Sequence, residues 1–158
     1  MAVLQLILIG EFILSLFAGY FFAGMHWETG ALFLFAALIA NIRAGRRAKK
    51  KQNSFVNLTG RISDAFIFAG VAVGASEFLA LGLFVLFLMV FVPHITCRIR
   101  ELRGLQNMDF GRKYRLFVII VVALAEKNYP GTIAVGLAAA AGLAVYDLIK
   151  SLMVKKRC

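Results

Sequence analysis

A succession of apolar runs, each near the length that crosses a lipid bilayer, constrains this chain more than any other feature. A membrane helix needs about 20 mostly apolar residues. The first run extends from Ala2 to Gly24 and is interrupted only by Gln5 and Glu11. A second runs from Gly30 to Ile42, a third from Asp64 to Ala75 and a fourth from Phe78 to Cys97, with Pro93 near its end. The fifth spans Leu116 to Glu126 and the sixth Thr132 to Met153. His26, Trp27 and Glu28 read as an interfacial turn, because Trp favours headgroup depth. Asn128-Tyr129-Pro130-Gly131 is a turn signal between the last two runs. The runs are continuous rather than alternating, so they predict helices and not the strands of a barrel.

Composition agrees. Of 158 residues, 61% are hydrophobic and only 16% charged, where a water-soluble domain carries about a quarter charged residues. The expectation is one all-α domain, a polytopic bundle of six transmembrane helices over about 2–24, 30–43, 62–76, 78–97, 115–126 and 132–153. The first run has no positive residue before its apolar core and no small-x-small cleavage site, so it is expected to stay as a span.

The net charge is nevertheless +10, from 18 Lys and Arg against 8 Asp and Glu. Seventeen of the 18 cations fall at or between the facing ends of spans two and three, at or between those of spans four and five, or at the C-terminal end. Lys127 is the exception. With six spans these three segments share one face. The positive-inside rule makes that face cytoplasmic, with both termini there, in a multi-pass protein of the cell membrane. Such a face attracts anionic lipid headgroups, each Lys or Arg contributing about 1 kcal/mol. The Arg46 to Lys51 run has no aromatic interleaving and belongs to no nucleic-acid-binding module, which argues against nucleic acid as a partner.

Arg112 and Arg115, three apart at the start of span five, point the same way on a helix. Two guanidinium groups on one face suit a phosphate, and equally suit anchoring of a helix end. Glu11 lies midway along span one, where a charge costs about 2.5–3.5 kcal/mol or more. Such a carboxyl is neutral, paired with an arginine, an ion or proton site, or in contact with another subunit. Asp64 is spaced to bridge Arg61 at i, i+3, or to accept from Asn57 or Thr59. Asp147 is similarly spaced to pair with Lys150. Glu11, Arg61 and Asp64 are therefore expected as structural polar residues. Gly70-x3-Gly74 and Gly136-x3-Ala140 permit close helix contact, either within the bundle or in a homodimer. Cys97 and Cys158 have no metal-ligand neighbours, and His26 and His94 fall near opposite faces.

Gly60-Arg61-Ile62-Ser63-Asp64-Ala65 resembles the D-R-[IV]-S-D-[AG] segment of the CDP-alcohol phosphatidyltransferases, six-helix membrane enzymes of phospholipid synthesis. The likeness is to the branch making phosphatidylinositol-phosphate and related lipids. Arg100, Glu101 and Gly104 resemble that branch's stretch after span four, and Arg112, Arg115 and Leu116 match its E-R-x-E-R-L segment. The resemblance covers residues 30–150. It implies a bundle of six helices, phosphate-binding arginines at Arg43, Arg112 and Arg115, and Mg²⁺ or Mn²⁺ held by four aspartates. In the register that puts Arg43 on the family's signature arginine, those four positions are Phe35, Leu38, Val56 and Gly60.

A hard divalent cation wants oxygen ligands, and the whole chain has three aspartates, Asp64, Asp109 and Asp147, at no such spacing. No metal cofactor and no catalytic residue is therefore expected of the lone chain. Three functions follow. One is a non-catalytic relative with a cationic headgroup pocket lined by Arg43, Arg112 and Arg115, acting in lipid binding or as a partner subunit in a homodimer or hetero-oligomer. Another is a transferase whose metal ligands come from a partner chain. The last is a small channel or transporter component using Glu11.

Overall fold

A computed structural model describes residues 2–47, 53–102 and 110–153. Among them it is all-helical: α1 (Ala2–Ala23), α2 (Trp27–Arg47), α3 (Asn53–Gly74), α4 (Leu79–Leu102), α5 (Phe110–Glu126) and α6 (Thr132–Met153), with one 3₁₀ turn at Ser76–Phe78. Four helical stretches are long and apolar enough to cross a membrane: Val3–Ala23, Trp27–Arg46, Ser76–Thr96 and Thr132–Met153.

The helices pack as a closed ring in the order α1, α2, α5, α6, α4, α3. Their directions follow from the contacts. Gly19 of α1 meets Gly70 of α3 and Phe22 meets Gly74, so α1 and α3 are parallel. Gly30 of α2 meets Phe22, while Ala44 clusters with Leu8, so α2 is antiparallel to α1. Gly136 of α6 meets Val122 of α5, and Asp147 meets Arg115, so these two are antiparallel as well. Lys127 at the end of α5 bridges Glu28 at the start of α2, which aligns α5 with α1 and α3. The starts of the odd helices and the ends of the even ones thus gather at one end. Arg43, Arg46, Arg61, Lys113 and Lys150 lie toward it. Glu28, Glu77 and Glu126 belong to the opposite end.

Both faces of the helices are apolar. Along α1, Val3, Leu6, Ile9, Ile13, Phe17 and Tyr20 are exposed at helical spacing, while Leu8, Ala18 and Phe22 are buried. A water-soluble bundle would turn polar residues outward; a helix hydrophobic all round suits a membrane. Small residues set the closest contacts. A side chain at Gly70 would run into the Gly19 backbone, and one at Gly74 into the Phe22 carbonyl. The small-residue stripes are thus covered within the chain, Gly70 and Gly74 by α1 and Gly136 by Val122.

Several boundaries move from the expected ones. The second helix starts at Trp27, whose ring packs on Phe22 at 5.8 Å between centroids, so Trp27 and Glu28 are helical rather than part of the expected turn with His26. The third begins at Asn53, nine residues before the expected 62, because Asn53, Ser54, Asn57, Thr59 and Arg61 make its first turns polar and hide them from a hydropathy reading. The fifth likewise begins at Phe110. Pro93 is accommodated inside α4, where its missing N–H frees a carbonyl one turn back.

Candidate functional site

The interior of the basic end holds a buried ionic cluster. Arg112, in the first turn of α5, is 6% exposed and reaches two other helices. Its Nε donates to Asp64 Oδ1 at 2.9 Å and Oδ2 at 3.0 Å. Its Nη2 donates to Glu11 Oε1 at 2.9 Å and also lies 2.9 Å from Asp64 Oδ1. Three helices that share no loop are tied at one guanidinium. Arginine suits this task because its planar fork serves two carboxylates at once. Gly60, one turn before Asp64, makes room for it: a Cβ there would stand 2.8 Å from Arg112 Nη1.

A second pair lies one turn along α5. Arg115, 2% exposed, donates from Nη1 to Asp147 Oδ2 of α6 at 2.8 Å. The two arginines expected to share a phosphate thus diverge to different helices and are held on carboxylates of the chain itself. Each of Glu11 and Asp147 is followed four residues later by a serine. Ser15 Oγ donates to the Glu11 carbonyl, and Ser151 Oγ to the Asp147 carbonyl, both at 2.8 Å. This back-bonding satisfies the hydroxyl inside its own helix.

The remaining expected residues separate. Arg43 is exposed at the end of α2. Arg61 does not take Asp64 as an i, i+3 partner; its Nε is buried without a hydrogen-bond partner among the described residues. Asp64 turns to Arg112 because residues 60 and 64 share the helix face that α5 approaches. Lys150 lies 5.9 Å from the centre of the Tyr146 ring instead of pairing with Asp147. Glu126 has a role that its position at the end of an apolar run did not suggest. Its carboxylate accepts from the Gly131 and Ile133 amides at 2.7 and 2.6 Å and from Thr132 Oγ1 at 2.9 Å, capping the start of α6. An acidic residue a few positions before a helix start was the available signal.

The positions aligned with the family's metal aspartates do not fit a divalent metal. Phe35 is 50% exposed, Leu38 is buried among apolar side chains, and Gly60 abuts the Arg112 guanidinium. A cation beside Gly60 would meet a fixed positive charge. Among the described residues no three His, Cys, Asp or Glu side chains converge as a metal group. Helix α3 includes Val56, but its side chain, like those of Asn57, Cys97, Arg98, Arg100 and Glu101, lies outside the described part. Lys49 to Lys51, Arg103, Gly104, Asp109, Lys155 to Arg157 and Cys158 lie outside the described residues. The chain matches no protein-family model, no curated protein and no solved structure.

Proposed function

We propose that this chain is a six-span integral membrane protein whose basic end and termini face the cytoplasm, and which binds an anionic phospholipid headgroup without transferring it. The alternating helix directions, the outward apolar faces and the gathering of cations at one end support the topology. Helices α3 and α5 are not among the stretches long and apolar enough to cross by composition alone, and they cross by turning Asp64, Arg112 and Arg115 inward against each other and against α1 and α6. In this reading the likeness to CDP-alcohol phosphatidyltransferases is to a relative that keeps the bundle and has lost the metal site.

The observation that carries headgroup binding is Arg61. It is a half-buried guanidinium near the basic end, with a sealed Nε and no carboxylate partner among the described residues. Arg112 and Arg115 are neutralised from within, so an external phosphate falls to Arg61, with exposed Arg43, Arg46 and Lys113 around the same end. A guanidinium holds two phosphate oxygens in parallel hydrogen bonds, which an ammonium does not.

The test is lipid binding by purified protein in nanodiscs containing phosphatidylinositol-phosphate or phosphatidylglycerol. Arg61→Gln is expected to weaken binding about tenfold, on the order of one charge-assisted bidentate contact. Lys113→Gln should change it little. Equal losses would mean a diffuse basic face and no headgroup site. Incubation with CDP-diacylglycerol and Mg²⁺ or Mn²⁺ should release no CMP; clear turnover by the lone chain would overturn the non-catalytic reading.

A further inference from the structure

Helix α3 packs closely on α4 at Ala72 and Gly82, where a Cβ on the glycine would stand 2.7 Å from Ala72 Cα and Cβ. The 3₁₀ turn at Ser76–Phe78 joins the two helices as antiparallel neighbours. Eleven residues make about three helical turns and return to the same face. Arg61 lies eleven residues before Ala72, so it projects from the face of α3 that meets α4. Pro93 lies eleven residues after Gly82 and projects from the face of α4 that meets α3. Antiparallel pairing brings Arg61 and Pro93 to one level, about 16 Å from the close contact and toward the basic end. Pro93 is buried and has no polar side-chain atom. An arginine facing it finds no acceptor there, in keeping with the sealed, unpaired Nε of Arg61.

The outer edge of this α3–α4 seam is apolar. Ala65 and Ala69 follow Arg61 at one-turn spacing and are half-buried, while Leu86 and Val90 follow Gly82 on the α4 side. Leu58 and Ile62, 53% and 44% exposed, flank Arg61 on the outward side. Nε is the only atom of Arg61 sealed without a partner, so the guanidinium presents its Nη edge outward. Helical side chains tilt toward the helix N-terminus, which for α3 is the basic end. A guanidinium at the basic end of an apolar seam matches a ligand with phosphate at one end and hydrocarbon below it. A water-soluble phosphate would match the guanidinium and leave the seam unused.

We propose that the seam between α3 and α4 seats an acyl chain of the phospholipid whose phosphate Arg61 binds, and that this lipid enters sideways from the bilayer. The inference rests on Arg61 being the headgroup residue. The phosphate accepts from the Nη edge of Arg61 in charge-assisted hydrogen bonds. The chain lies over Ala65 and Ala69, whose methyl groups leave the seam shallow enough to take it, with Ile62 on one side and Val90 on the other. The ligand class is thereby an anionic diacyl lipid, and a soluble sugar phosphate or glycerol phosphate is not a ligand in its own right.

Photolabelling reads the seat of the chain directly. The protein is placed in phosphatidylcholine nanodiscs with a phosphatidylglycerol that carries a diazirine midway along one acyl chain. In the wild type, adducts are expected to concentrate in residues 62–69 of α3 and 83–90 of α4, a readout that needs no variant to fold. A large excess of free glycerol phosphate should not displace them. Ala69→Trp fills the seam with Arg61 left in place, and should lower the labelling about tenfold, as Arg61→Gln does. Loss of phosphatidylglycerol binding in Arg61→Gln, with adducts spread evenly over the outer faces of the helices, would keep the headgroup residue and overturn the seam. Displacement by glycerol phosphate would overturn sideways entry. Unchanged binding in Arg61→Gln would overturn the headgroup reading itself, and the seam with it.

Discussion

Helices α1 and α3 run side by side and are joined differently at their two ends. Toward the acidic turns, Gly19, Gly70 and Gly74 let the backbones touch. Toward the basic end they are joined through a third helix, by Arg112 bonding both Glu11 and Asp64. The first contact needs only shape. The second needs a matching count of charges and hydrogen bonds. In a bilayer, where lipid tails are as apolar as leucine, apolar side chains do not by themselves select a partner helix. Close backbone fit sets the α1–α3 crossing, and the ionic tie selects which third helix joins it.

Substitutions at the two ends test this contrast. Arg112→Leu removes a cation bonded to two buried carboxylates and should destabilise the bundle by about 3–5 kcal/mol in a reversible micelle unfolding assay. Adding Glu11→Leu and Asp64→Leu should restore most of that loss, since a neutral, well-packed interior no longer carries stranded charge. A triple variant as unstable as the single one would show that the tie contributes attraction and not only compensation. At the dry end, Gly70→Leu forces a side chain into the Gly19 backbone and should cost about 3 kcal/mol, with no dependence on salt.

Asp147→Asn tests the smaller pair between α5 and α6. Its carboxylate is 19% exposed, and the expected loss is about 1.5 kcal/mol. The weakest effect is expected at the exposed Lys127–Glu28 bridge of 3.1 Å. Lys127→Ala should change stability by less than about 0.5 kcal/mol, and a larger change would give the loop ends a part in closing the ring.

The helical class was legible in the sequence because the apolar runs are long, and the last turn because residues 128–131 are chemically marked. Starts of polar helices were not. Hydropathy dates α3 from residue 62, but the helix begins at Asn53, through the polar residues Asn53, Ser54, Asn57, Thr59 and Arg61. The need of Glu11 for a partner could be argued from its depth alone. That the partner is Arg112 could not, since 101 residues separate them and nothing local marks the pairing. The i, i+3 rule placed Arg112 and Arg115 on one face correctly in angle, yet an angle of about 60° between them is enough to reach different neighbours in a ring. The same rule favoured Arg61 for Asp64. A cross-bundle guanidinium won, because Gly60 opens that face to it.

The cross-bundle tie also has a consequence in time. In the chain Arg112 follows Glu11 by 101 residues. At ribosomal rates of about 5–20 residues per second, the wait is about 5–20 s. During that interval α1 has emerged and its eventual counter-charge does not yet exist. The order of synthesis therefore makes α5 the helix that completes the interior. A nascent chain halted before Arg112 would hold Glu11 and Asp64 without the guanidinium that ties them in the finished bundle.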